Sequence, residues 1–166
     1  MMTDRRSDEL FKDKVAIVTG AGRGLGNAYA KALLERGARV IVSDLGTGLT
    51  GDGADPEVMS EAVHDLQADP GSFITHNGRL DNEMGCQQLV ALAIAQFGAL
   101  DILIHNAGWV GYQPIETQEE VFLERSLGIN VRAPIWLSKH AWVHLKRSQS
   151  PRIVLTTSDR AMRSQA

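Results

Sequence analysis

Val15-Ala16-Ile17-Val18-Thr19-Gly20-Ala21-Gly22-Arg23-Gly24-Leu25-Gly26 is the stretch that decides how the chain is read. An apolar run, then glycines, then an alanine-rich segment spell strand, tight turn and helix. Gly20, Gly24 and Gly26 let the backbone turn sharply and approach a phosphate with no Cβ in the way. The helix that follows directs its free N–H groups and positive dipole end at such an anion. The next apolar run, Val40-Ile41-Val42-Ser43, leads into Asp44, 18 residues beyond Gly26. In dinucleotide-binding folds a carboxylate at that place meets an adenosine ribose hydroxyl. Strand before, helix after and acid at that distance set this turn apart from a βα turn with chance glycines.

At 166 residues the chain is long enough for one domain with a real core. Its 43% hydrophobic and 22% charged residues are those of a soluble globular protein. A net charge of −3 provides no basic field for nucleic acid or an anionic membrane surface. No apolar run approaches the ~20 residues that span a bilayer. The lone Cys86 fits a reducing compartment, and the charged segment from Met1 to Lys14 lacks the apolar core of a signal peptide. The expected location is the cytoplasm.

Residues 1–12 read as a flexible leader, with Leu10 and Phe11 as anchors onto a single domain over 13–166. The helix after the glycines is expected to run to Arg36, with Leu25, Ala28, Ala32 and Leu33 on its buried face and Gly37 as its stop. Residues 46–55 hold four glycines in ten and read as a mobile loop. Pro56 opens a helix reaching Ala68. A third strand covers residues 72–76. Asp81 or Asn82 caps a helix with the stripe Cys86, Leu89, Val90, Ala93 and Phe97, ended by Gly98. A fourth strand, 102–104, runs into His105-Asn106-Ala107-Gly108. Thr117 and Glu120 form a capping box for a long helix to Lys146, bent between Gly128 and Pro134. A fifth strand spans 153–156. The strands are apolar without alternation, as in sheets covered on both faces. About five strands alternating with helices give an α/β, Rossmann-type, doubly wound parallel sheet.

These residues resemble the short-chain dehydrogenase/reductase family. The resemblance rests on Thr19-Gly20-x-x-x-Gly24-x-Gly26, then Asn106-Ala107-Gly108, then Asn130, then Ser158 after the fifth strand. Within the family, Asp44-Leu45-Gly46, the glycine-rich loop and His140-Ala141-Trp142 are similar to 3-oxoacyl reductase-like members and to the hydroxyacyl-CoA dehydrogenase domain of peroxisomal multifunctional enzymes. The resemblance implies an NAD(P)-dependent oxidoreductase moving hydride between nicotinamide and a hydroxyl/ketone substrate, with a 3-hydroxyacyl/3-oxoacyl thioester as one candidate. Gly20, Gly24 and Gly26 then shape the pyrophosphate turn, with contacts from Arg23 and Leu25. Asp44 and Leu45 sit at the ribose, and Asn106, Ala107 and Gly108 border the ribose and adenine side. NAD is expected over NADP, because a carboxylate accepts from a free 2′-hydroxyl and repels a 2′-phosphate. Asn130 is assigned the helix bend and a proton-relay water, and Ser158 the substrate oxygen. A homo-oligomer is expected of the complete protein.

Two departures stand out. The family's adenine-binding Asp after strand three is replaced by Asn77-Gly78-Arg79-Leu80, with Gly78 in its place. The family's Tyr-x-x-x-Lys, whose lysine lowers the pKa of the acid/base tyrosine, follows its serine at a distance that lies past Ala166. Tyr29 is followed four later by Leu33, and Tyr112 by Glu116. The chain is therefore expected to be inactive alone, truncated before the catalytic helix. A dinucleotide-binding module without chemistry is the alternative. A methyltransferase is a further one, opposed by the Gly20–Gly24 spacing, Asn106-Ala107-Gly108 and Ser158. His140 and His144 share a helix face at zinc-ligand spacing, but no third ligand accompanies them, and a solvated face is expected rather than a metal site. Trp136 and Trp142 read as core or interface residues, and Cys86 as core.

Overall fold

The computed structural model describes residues 9–48, 53 and 55–158. Five parallel strands form one sheet in the order β3-β2-β1-β4-β5. They are β1 (Val15–Thr19), β2 (Arg39–Ser43), β3 (Phe73–His76), β4 (Ile102–His105) and β5 (Arg152–Leu155). The helices are α1 (Gly24–Leu34), α2 (Glu57–Leu66), α3 (Glu83–Phe97), α4 (Glu120–Leu127) and α5 (Ala133–Leu145), with a π-helical segment, Gly128–Arg132, joining the last two. The chain winds outward from β1 through β2 to β3, then crosses to β4 on the other side of β1. Ligands in such sheets bind at the carboxyl ends of the strands beside that reversal.

Alternate residues of each central strand enter opposite cores, as the period of two requires. Ile17, Ile41 and Leu103 pack with α3 and α5, including Leu89, Leu137 and Leu145. Ala16, Val18, Val40, Val42, Ile102 and Ile104 pack on the other side with Ala30, Leu33 and Leu66 of α1 and α2. Two-sided burial explains why these strands read as unbroken apolar runs. β5, one of the two edge strands among the described residues, departs from this: all four of its residues are exposed.

The register brings Thr19, Ser43, His76, His105 and Leu155 into one row at the carboxyl edge. At the amino edge Asp101 ties β1 to β4. Its carboxylate accepts from the Val15 amide at 3.0 Å and from the Ser148 hydroxyl, with Lys14 Nζ at 3.5 Å. Burial pushes the Asp101 carboxyl up, but the Ser148, Val15 and Lys14 contacts together hold it below its ordinary value.

Several local expectations are corrected. The buried face of α1 is Gly26, Asn27, Ala30 and Leu33, while Leu25 is 61% exposed and Ala28 is also exposed. The packing of Gly26 against Gly20 sets this phase, and α1 ends at Leu34 rather than Arg36. Thr117 caps no long helix: it closes a short 3-10 turn, Ile115–Thr117, and α4 starts after Glu119. Asn82, not Asp81, caps α3 by accepting from the Gly85 amide. The bend before Pro134 is the π-helical segment itself. The Phe11 amide donates to the Arg36 carbonyl and its ring packs on the α1 side, whereas Leu10 is exposed. Residues 1–8 and most of 49–54 lie outside the described residues.

His140 does not face solvent alone. It shares the Glu83 carboxylate with Lys139, joining α5 to α3. Among the described residues no three metal-ligating side chains gather. Trp136 packs at the core edge and Trp142 is 54% exposed. Cys86 is fully buried, and burial pushes its thiol up to about 12, so it is no nucleophile.

Candidate functional site

The turn after β1 is built by contact as much as by conformation. Gly20 has φ +63°, and a Cβ there would lie 2.8 Å from the Ala107 backbone. A Cβ on Gly26 would lie 2.0 Å from the Gly20 carbonyl oxygen, so helix and turn meet backbone to backbone. α1 begins at Gly24 with no side-chain cap and no acidic residue in its first turn. Its opening N–H groups and dipole therefore suit an anion. A Cβ on Gly24 would meet nothing within 4 Å, so the space beside the first turn of α1 is open. A dinucleotide pyrophosphate fits this cradle.

Asp44, just after β2, is held by two amides. Its Oδ2 accepts from Gly22 N–H and its Oδ1 from Gly46 N–H, each at 2.9 Å. Gly22 is required for this contact, because a Cβ there would sit 2.7 Å from the Asp44 carboxyl carbon and 2.4 Å from Val58. The Arg23 guanidinium donates to the Thr47 carbonyl at 2.6 Å.

Thr19 is the hub of the carboxyl edge, and its role was missed in the sequence. Its hydroxyl oxygen accepts from the amides of Asn106 at 3.1 Å and Ala107 at 3.0 Å. Its own proton is then left for His105 Nδ1 at 2.9 Å. That fixes a neutral His105 with the proton on Nε2, which donates to the Ile129 carbonyl at 3.2 Å. Burial lowers the His105 pKa, and the Ile129 bond opposes that shift in part. Asn106 adds a bond from Nδ2 to the Gly20 carbonyl at 3.2 Å.

Asn130 lies in the π-helical segment. Its Oδ1 accepts from the Trp109 amide at 3.0 Å and its Nδ2 donates to the Trp109 carbonyl at 2.7 Å. This clamp passes next to Gly108, where a Cβ would lie 3.2 Å from Asn130 Oδ1. Ser158 follows β5, exposed, on the same edge as His105, whose carbonyl accepts from the Thr156 amide.

A cavity of about 340 Å³ runs along this edge. Its walls include Gly20, Arg23, Asp44, Leu45, Asn106, Ala107 and Gly108, so these expected residues converge. Gly24, Leu25, Gly26, Asn130 and Ser158 are not part of the cavity wall. Trp109 and Arg79, neither singled out from the sequence, line it too. Gly78 lines it beside Arg79, which pairs with Asp81. Signals for Thr19 and His105 did exist: each is a polar residue closing an apolar strand, where a buried polar group needs partners.

Residues 14–166 match the family model for short chain dehydrogenases. Peroxisomal multifunctional enzyme A of Dictyostelium discoideum is 33% identical over 148 residues, covering 89% of this chain and 33% of that protein. An uncharacterised oxidoreductase of Thermotoga maritima is 33% identical over 149 residues, covering 90% of this chain and 55% of that protein. A short chain dehydrogenase structure from Mycobacterium avium aligns with TM-score 0.76 and 29% identity, covering 90% of this chain and 54% of that one. A carveol dehydrogenase from the same species, solved with NAD, shares the fold at TM-score 0.78 and 24% identity, over 93% of this chain and 57% of that one. The chain spans between a third and just over half the length of these relatives. With its family motifs assembled on a parallel Rossmann-like sheet, the chain belongs to the short chain dehydrogenase family.

Proposed function

We propose that this chain provides the nucleotide-binding part of an NAD-dependent oxidoreductase acting on a hydroxyl/ketone pair. A 3-hydroxyacyl or 3-oxoacyl thioester is the first substrate class to try. The observation that carries the reading is Asp44, fixed by the Gly22 and Gly46 amides on the wall of a cavity that also holds the Gly20 turn. The bound nicotinamide supplies or accepts the hydride. The residues of this chain bind and orient: the α1 N-terminus takes the pyrophosphate, Asp44 the ribose, and Gly108 and its neighbours the far wall. Asp44 disfavours a 2′-phosphate by charge, hence NAD over NADP. Ser158 holds the substrate oxygen, and Asn130 keeps the Trp109 segment and the helix bend in place.

Neither Ser158 nor Asn130 can release a proton at neutral pH, and no Tyr-x-x-x-Lys occurs within residues 1–166. Residues 1–166 alone therefore bind nucleotide without turnover in this reading, which is also what a non-catalytic binding module would do. Val121, Leu123, Ile135, Trp142 and Val143 leave apolar surface on α4 and α5, which supports a homo-oligomer. The buried free thiol of Cys86 supports a reducing, cytoplasmic setting.

The test is consumption of NADH by residues 1–166 and by a form extended through a Tyr-x-x-x-Lys helix, each offered 3-oxoacyl thioesters and simple ketones. Turnover by the extended form alone is expected. A robust rate from residues 1–166 contradicts the assignment of roles, and NADH binding by both forms with turnover by neither favours the binding module.

A further inference from the structure

Arg23 follows Gly22, whose amide holds the Asp44 carboxylate, and Arg23 and Asp44 line the same cavity. A free cation there would attract a ribose 2′-phosphate and work against Asp44. It is not free. Nη2 donates to the Thr47 carbonyl at 2.6 Å, and Asp55 Oδ2 lies 3.9 Å away. Asp55 is itself fixed, accepting from the Glu57 amide at 3.2 Å at the start of α2 and donating its own amide to the Gly46 carbonyl at 2.7 Å. Thr47 and Gly46 belong to the short segment that leaves Asp44. The same few residues thus hold the acid toward the cavity and draw the base against themselves. Of the other guanidinium groups on the cavity wall, Arg79 pairs with Asp81 and Arg125 lies over the Trp109 ring.

We propose that Asp55 is a specificity residue: by engaging Arg23 against the Thr47 carbonyl, it withholds that guanidinium from a 2′-phosphate and reinforces selection of the unphosphorylated dinucleotide. The inference rests on the dinucleotide reading of the site. Asp55 touches no nucleotide in this account and acts through Arg23. The side chains of Arg23 and Asp55 are 39% and 42% exposed, so their pairing contributes little to folding. Its effect is on where the guanidinium points, and it weakens as salt is raised.

The experiment titrates the purified full chain with NADH and with NADPH, following tryptophan fluorescence at low ionic strength. Asp55→Asn keeps an oxygen for the Glu57 amide and removes the charge facing Arg23. Asp55→Ser keeps the helix cap by a different side chain and serves if the first variant does not fold. NADPH affinity is expected to rise about two- to fivefold relative to NADH in either variant. In Arg23→Ala/Asp55→Asn that gain should vanish. An unchanged ratio in both single variants, or a gain that survives loss of Arg23, overturns the proposal while NADH binding stands. Failure of the unmodified protein to bind either nucleotide overturns the site reading and this inference with it.

Discussion

The Nε2–H of His105 donates to the carbonyl of Ile129 across 3.2 Å, joining the end of β4 to the π-helical segment that carries Asn130. Through Nδ1 the same ring receives the Thr19 hydroxyl, which holds the Asn106 and Ala107 amides. One neutral imidazole therefore connects the nucleotide turn to the helix bend.

His105→Leu strands a buried hydroxyl proton and a carbonyl, and should cost about 1–3 kcal/mol. Burial lowers the pKa of His105 and of His76 below the ordinary 6.5. The unfolded chain then binds more protons than the folded one once pH falls below 6.5, so stability should decline on acidification. Denaturant titrations on either side of that pH should show the decline in the unmodified protein and a smaller one in His105→Leu, with the remainder from His76. An identical pH dependence in both would remove His105 from the account.

Gly24 and Gly26 should fail differently. Gly26→Ala drives a Cβ to 2.0 Å from the Gly20 carbonyl, so the turn or α1 must move and the melting temperature should drop sharply. Gly24→Ala meets no atom within 4 Å and bears only the strain of φ +56°, about 1–2 kcal/mol. The Gly24 variant should stay folded by circular dichroism while losing NADH affinity. Equal melting temperatures for the two variants would contradict the close helix–turn contact.

Asp101→Ala removes the partner of the buried Val15 amide and of Ser148 at the amino edge. About 1–3 kcal/mol of stability should go, with nucleotide affinity nearly unchanged because the site lies at the opposite edge. The folded pKa of Asp101 is depressed, so its contribution is present above the ordinary carboxylate range and is lost as pH falls through the folded value. Guanidinium unfolding and NADH titration of the same variant check both statements.

Asn130→Ala releases both backbone groups of Trp109. A loss of about 0.5–1.5 kcal/mol per bond is expected, with a red-shifted, more quenchable Trp109 emission as the segment loosens. Unaltered emission would show that the clamp does not position Trp109.

The strand run before Gly20, the acid after β2 and the glycine-rich turn were legible because each is a local pattern with one physical reading. The parallel, doubly wound class of the sheet followed from strands alternating with helices, while its strand order is set by pairings between distant segments. The phase of α1 was not legible: it depends on the Gly20–Gly26 backbone contact, which no single-segment periodicity contains. The Thr117 capping box failed for a similar reason, because Thr117 is spent closing a turn on Pro114. Thr19 and His105 are marked in the sequence only as polar residues closing apolar strands, and their partnership joins residues 86 apart. Trp109 and Arg79 enter the cavity from loops whose course only the assembled sheet sets.

Direct binding of NADH to the purified protein tests the central claim most simply. Trp109 lines the cavity with Asp44, so bound nucleotide should quench tryptophan emission with energy transfer to the reduced nicotinamide. Saturable quenching is expected, weakened in Asp44→Ala, with NADPH binding less tightly than NADH to the unmodified protein. A folded protein that shows no quenching by either nucleotide, or that prefers NADPH, would contradict the account.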